Sequence, residues 1–306
     1  MNSFVTFLLL VVILLILLYA KYTQKIRFWK RHGVESISLL ELYKRSKKKP
    51  WGINLNKFYQ QMYAEKKPFK VIELLFESLL LVQDLEAIKD IMITNFESFP
   101  DRGLYVNHRE ALSANVSRLD YDMWKPLRMK MSPTFSPAKL RHMFPNLLGV
   151  AKQLVAVLGE QCDKGHGGAV QMFDLCARFT TDIIGNVAFG IECNSLREPN
   201  TEFRIQGNRA FYQTLNPLWD MIGAKFPKLM AFFNVHVFSR EANEFFKKVF
   251  RDTMEHRQKN NIRRNDFMDL LLELQKEPAN GEDFKLTFDL MVGQLFVFFI
   301  AGFETT

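Results

Sequence analysis

The chain has 306 residues, 48% of them apolar, with 29 phenylalanines and ordinary amounts of Gly and Pro. It can bury one large core or two smaller ones, and its composition excludes a disordered, repetitive or low-complexity protein. The formal charge of +8 has a single source, because residues 1–20 carry no charged side chain while residues 21–49 hold ten Lys or Arg against Glu35 and Glu41. The rest is balanced, which argues against a nucleic-acid groove. Cys162, Cys176 and Cys193 form no C-x-x-C pair and fit a reducing compartment. Cys162 and His166 in a Gly-rich loop are too few ligands for a metal centre.

Phe4 to Ala20 is an apolar run that reaches, with the uncharged Met1 to Ser3, the roughly 20 residues needed to cross a bilayer. A cleaved signal peptide would need a basic start and an Ala-x-Ala site; instead Lys21, Lys25, Arg27, Lys30 and Arg31 follow at once. The run therefore reads as a transmembrane signal anchor (1–20) with the body on the positive, cytosolic side. There the sequon Asn115-Val116-Ser117 would escape glycosylation. Residues 21–50 read as a basic linker that anionic head groups attract.

The region from 51 onward predicts a globular body: a short helix over 56–64, a hairpin over 68–75 and 78–82, and a helix capped by Asp84. A loop over 96–103 precedes a helix opening near Asp122, on which Trp124 and Arg128 stand at i and i+4. An indole N–H and a forked guanidinium side by side suit a buried carboxylate; a packed Trp with an Arg snorkelling past it is the plainer alternative. Ser132-Pro133 stops that helix, Ser136-Pro137 starts a short one, and an amphipathic helix covers 146–161. Asp174 to Ala188 predicts an apolar helix closed by Gly190. The aromatic stretch 201–238 suits a lid over an apolar ligand, a segment dipping into a bilayer, or core packing. Ser239 caps a long helix, 265–275 gives another, and 276–285 is a polar loop.

The final helix, from Thr287, is an apolar run carrying Ala301 and Gly302 followed by Glu304, Thr305 and Thr306. Positions 294, 298, 301, 302 and 305 fall on one side, leaving a notch against which something bulky could lie; an ordinary core helix with a packing glycine reads the same way.

In order and spacing, the anchor with its basic flank, Phe99-Pro100-Asp101-Arg102-Gly103, Trp124-Lys125-Pro126-Leu127-Arg128, Ser132-Pro133-Thr134-Phe135, Thr181-Asp182-Ile183-Ile184, Ala188-Phe189-Gly190 and Ala301-Gly302-Phe303-Glu304-Thr305-Thr306 resemble a microsomal cytochrome P-450, a haem-thiolate monooxygenase of the insect family-six kind. The resemblance implies a mainly α fold with a small β sheet and a single N-terminal transmembrane helix. It implies haem b (heme), NADPH used indirectly through NADPH-cytochrome P-450 reductase, oxidation of a small lipophilic substrate with O2, residence in the endoplasmic reticulum membrane, contact with the lipid bilayer, and no nucleic acid. Trp124 and Arg128 match a pair that holds a haem propionate, and Arg102 resembles a second such ligand. Ala301 and Gly302 match the passage of the helix over the haem. Glu304 and Thr305 resemble the acid and hydroxyl that deliver protons during oxygen activation. Phe211 and Phe298 would line the substrate pocket, and Lys125 and Lys130 could dock an acidic reductase.

Three departures stand out. A proline-rich hinge after the anchor is replaced by Gly33-Val34-Glu35-Ser36, and Gly293 stands where the family prefers Ala, at about 1 kcal/mol in helix propensity. Relatives also continue past this helix to a Glu-x-x-Arg helix and a Phe-x-x-Gly-x-x-x-Cys loop whose thiolate binds iron. Residues 51–306 thus resemble the N-terminal part of the domain, truncated before the iron-ligating Cys, with no metal ligand in this chain. The expectation is an inactive fragment of a monooxygenase, or alternatively a truncated non-catalytic membrane-anchored binding or interaction protein.

Overall fold

The computed structural model describes residues 2–45, 55–74, 77–164, 169–212, 217–276 and 284–304. They fall into two compact units, Met1–Pro100 and Asp101–Thr306. The fold is mainly α with one three-stranded sheet.

In the first unit, helix α1 (Asn2–Arg31) is a single 30-residue rod. It outruns the apolar segment because nothing between Ala20 and Gly33 breaks a helix; Gly33 does, at φ +72°. Its Phe4–Arg31 portion is long and apolar enough to cross a membrane, and its apolar side chains are exposed. The stretch read as a linker is ordered as far as it is described: β1 (Ser36–Ile37) pairs in parallel with β2 (Phe69–Glu73), and α2 covers Leu39–Arg45. Two residues are too few to leave an alternation pattern, so the strand was invisible in the sequence. Strand β2 pairs antiparallel with β3 (Ser78–Val82), as the hairpin reading required. Helix α3 (Leu55–Ala64) supplies Phe58 and Met62 to a small core with Ile37 and Ile72. Asp84 caps α4 (Leu85–Lys89) by accepting from the Ala87 N–H at 2.9 Å.

The second unit begins with turns that lead to α5 (Tyr121–Met131) and a 3-10 turn at Ser132–Phe135. Helix α6 (Pro137–Lys164) is continuous, where the sequence suggested a short helix followed by another. Pro145 lies inside it, and the bond its ring forfeits belongs to Arg141, an exposed residue whose carbonyl water can satisfy. Helix α7 (Met172–Ile184) widens into a π turn at Gly185–Phe189 and stops at Gly190 in the left-handed conformation. Gly190 is needed twice over, since a Cβ there would also strike the Arg257 guanidinium.

The aromatic stretch resolves into α8 (Glu202–Tyr212), α9 (Pro217–Lys225) and α10 (Pro227–Phe232). It divides its side chains: Phe203, Met230 and Phe238 are buried, while Tyr212, Trp219, Leu229, Phe232 and Phe233 are exposed. Next come α11 (Arg240–Asn260), capped by Ser239, α12 (Phe267–Lys276) and α13 (Phe288–Glu304). The main core is built on α13. Phe296 and Phe299 interlock with Phe189, Phe203 and Phe246 at centroid separations of 5.1–6.5 Å, in edge-on and tilted arrangements that suit aromatic quadrupoles.

Candidate active site on helices α5 and α13

Helix α13 is placed by contacts on two sides. Toward its C-terminus it lies on α7: a Cβ on Gly302 would sit 2.6 Å from Ile184, and the Thr180 hydroxyl donates to the Phe303 carbonyl at 2.9 Å. That carbonyl belongs to the last turn, whose acceptors have no partner within the helix, so Thr180 supplies one. The missing side chain of Gly302 therefore serves close packing on α7, while Ala301 is exposed. Toward its N-terminus α13 meets the 107–116 turn. A Cβ on Gly293 would lie 2.5 and 2.6 Å from the carbonyl oxygens of Ala114 and Ala111. Close backbone approach, not helix propensity, is the reason for Gly at that position.

The same turn is tied to other elements. Glu110, fully buried, accepts from the N–H groups of Val237 and Phe238 at 2.8 and 2.7 Å. Burial pushes its carboxyl up to about 7, against the two N–H bonds and Arg118, which pull the other way. Asn107 donates to Asn234 and to the Val235 carbonyl, and Arg118 pairs with Asp220 of α9. Within it Asn115, the sequon residue, is buried and donates to the Leu112 carbonyl at 2.7 Å.

On α5, Trp124 is half-buried and stacks against Tyr121 with centroids 6.3 Å apart. Arg128, one turn on, is exposed, and among the described residues its guanidinium has no carboxylate partner. Arg102 is exposed as well, directly after Asp101, whose carboxylate accepts from the Tyr121 N–H at 2.8 Å. An indole and an uncommitted guanidinium on one helix side form a donor set fitted to an external carboxylate.

The remaining sequence candidates are dispersed. Phe298 packs between Phe135 and Phe267, at 5.1 and 4.4 Å, and Phe211 lies against Tyr212. Neither lines the cavity of about 580 Å³ that opens beside α5 and the start of α13, bounded by His108, Asp122, Met123, Phe284 and Leu290. Glu304 ends α13, and Thr305 lies outside the described residues. Thr180 and Ile184 contact α13, and Gln294 ties it to the 107–116 turn; the sequence assigned none of the three a contact, and only the Gln in an apolar run is a visible anomaly.

Residues 41–306 match the family model described as Cytochrome P450. The chain belongs to the cytochrome P450 family. It is 34% identical over 315 residues to Cytochrome P450 6a2 of Drosophila melanogaster, covering 99% of this chain and 62% of the relative. Cytochrome P450 6A1 of Musca domestica is 34% identical over 285 residues, 91% of this chain and 56% of the relative. Cytochrome P450 6a9 of Drosophila melanogaster is 42% identical over 233 residues, 74% of this chain and 46% of the relative. The chain thus spans 46–62% of the length of these relatives. The insect family-six resemblance agrees with them. The P450 family works with haem iron and electrons from NADPH.

The donor chemistry on α5 fits the carboxylates of that haem. An iron ligand is a separate matter: among the described residues no three His, Cys, Asp or Glu side chains cluster. Cys193 is buried and its thiol is pushed far up by desolvation and by Asp182, so it does not offer a thiolate.

Proposed function

We propose that this chain forms the haem-carboxylate and oxygen-side wall of a membrane-bound monooxygenase acting on small apolar compounds. The observation that carries the reading is the occurrence, within one P450 unit, of Trp124 and an exposed Arg128 with no carboxylate partner among the described residues on α5, together with an exposed Ala301 on an otherwise core-packed α13. Arg128 would hold one haem carboxylate through a charge-assisted fork, Trp124 would add an N–H and cover the ring edge, and Arg102 would take a second carboxylate. Bound haem would supply the oxygen chemistry. Ala301 keeps a large side chain off the face where the cofactor would lie, and Glu304 with Thr305 would carry protons to it.

Helix α1 supports a membrane site, with the basic residues that follow holding the body on the cytosolic face of the endoplasmic reticulum. The exposed Trp219, Phe232 and Phe233 suit a lipid interface or an apolar ligand. Electrons would come from NADPH through a membrane reductase. Lys125, exposed on α5, and Lys130, half-buried, would help dock its acidic surface, so reversing both charges should slow reduction. The test is expression of the protein from its complete message in microsomes, with haem content, the carbon monoxide difference spectrum and reductase-dependent NADPH consumption measured together. Haem incorporation with turnover of apolar compounds supports the reading. An intact, folded product that takes up no haem refutes it and favours a non-catalytic binding protein.

A further inference from the structure

Gln294 is the polar exception in the buried part of α13. Leu290 to Phe296 are all buried, and Gln294 is 0% exposed among them. Both of its polar atoms are satisfied. The Nε2 donates to the Ala114 carbonyl at 3.1 Å and to the Leu290 carbonyl at 2.9 Å, while Oε1 accepts from the Val116 N–H at 2.9 Å. Next to it, Gly293 leaves room for the carbonyls of Ala111 and Ala114, which a Cβ would overlap.

These contacts leave α13 little freedom. A shift of one residue would turn the helix by about 100° and slide it by about 1.5 Å. It would put Leu295 or Gly293 opposite the turn, strand the Ala114 carbonyl and Val116 N–H, and press a Cβ onto carbonyl oxygens. Seven residues make nearly two full turns, so Ala301 stands on the same side of the helix as Gln294. The turn at 111–116 covers that side at Gln294, and at Ala301 the side is exposed.

We propose that Gln294 is a positioning residue: its amide sets the rotation and register of α13 so that Ala301, rather than its neighbours Ile300 or Gly302, occupies the open side. A buried, fully hydrogen-bonded polar group that fixes register at some cost to stability is a known use of such residues. The importance of Ala301 rests on the proposed function, but the register itself does not require it.

The test uses thiol labelling of the full chain in detergent, with Cys162 and Cys176 replaced by Ser and one probe introduced, Ala301→Cys or Leu295→Cys. With Gln294 present, the probe at 301 should label at least about tenfold faster than the probe at 295, the ratio that about 1.4 kcal/mol of protection gives. Gln294→Leu should cut the ratio to about threefold or less by the same measure. Gln294→Glu provides the rescue, because a protonated Glu still donates to Ala114 and accepts from Val116, whereas the ionised form cannot donate. Its ratio should be preserved at acidic pH and lost at alkaline pH.

A folded Gln294→Leu protein that keeps the full ratio overturns the proposal. Where that variant does not fold, Gln294→Glu decides: a ratio independent of pH also overturns it. Haem titration of the same proteins reports on the proposed function separately, since the labelling contrast can persist in a chain that binds no haem.

Discussion

Gly293 and Gly302 are both glycines in a helix, and their substitutions should differ. Helix propensity alone predicts that Ala stabilises either by about 1 kcal/mol. At Gly293 the new Cβ meets two backbone carbonyls, which cannot move without displacing the 107–116 turn, so Gly293→Ala should destabilise by about 1–3 kcal/mol. At Gly302 it meets one branch of a single side chain, Cδ1 and Cγ1 of Ile184, and Ile184→Val, which removes Cδ1, should recover part of the loss in the Gly302→Ala protein. Denaturant unfolding of the single and double variants measures both. In the sequence Gly293 registers only as a poor helix former, because the carbonyls that require it come from about 180 residues away. Trp124 and Arg128 were legible because their relation is a spacing on one helix.

Glu110 gives a pH signature. Its folded pKa is raised from 4.5 to about 7, so between those values the folded chain holds more protons than the unfolded one. Its contribution is therefore complete below about pH 4.5, declines as pH rises, and is lost above about pH 7, a span on the order of 3 kcal/mol. Unfolding free energies measured from pH 5 to 8 should fall across this window. Glu110→Gln should flatten that part of the slope, whatever its own effect on stability.

Among the elements, α11 and α12 are joined by charge as well as by apolar packing. Arg257, 4% exposed, donates to Asp266 at 2.8 Å and to Asp269 at 2.6 Å, and Asp266 is fully buried. Removing the guanidinium strands a buried carboxylate, so Arg257→Ala should cost about 3–5 kcal/mol in chemical denaturation. Replacing a rim pair such as Lys139–Glu273, both partners about half exposed, should cost no more than about 1 kcal/mol. Helix α1 is tested by location: deleting residues 2–20 should move the protein from the membrane pellet toward the soluble fraction on carbonate extraction. Most helices were legible from caps and periodicity, with Asp84, Ser239 and Gly190 where those signals put them. The continuity of α6 was not, because a proline on an exposed stretch costs the helix less than the pattern suggests.

At the scale of the whole molecule, family membership and a mainly helical chain with one small sheet agree with what the motifs implied. The site is legible in part. Arg128 and Ala301 are exposed, Gly302 packs against Ile184, and Phe211 and Phe298 are held apart in separate ring contacts. Aromatic residues in an apolar sequence look alike whether they fill a core or line a pocket, whereas Trp124 and Arg128 are picked out by their i, i+4 spacing on one helix. The central claim is that Arg128 is reserved for a haem carboxylate, and haem affinity measured for the full-length protein and its variants tests it most directly. Arg128→Leu should weaken haem binding by about 10- to 100-fold, as loss of a charge-assisted bond of about 1.5–3 kcal/mol implies, while Arg263→Leu, another exposed arginine, should leave it unchanged. Equal haem affinity for the wild-type and Arg128→Leu proteins would contradict the account.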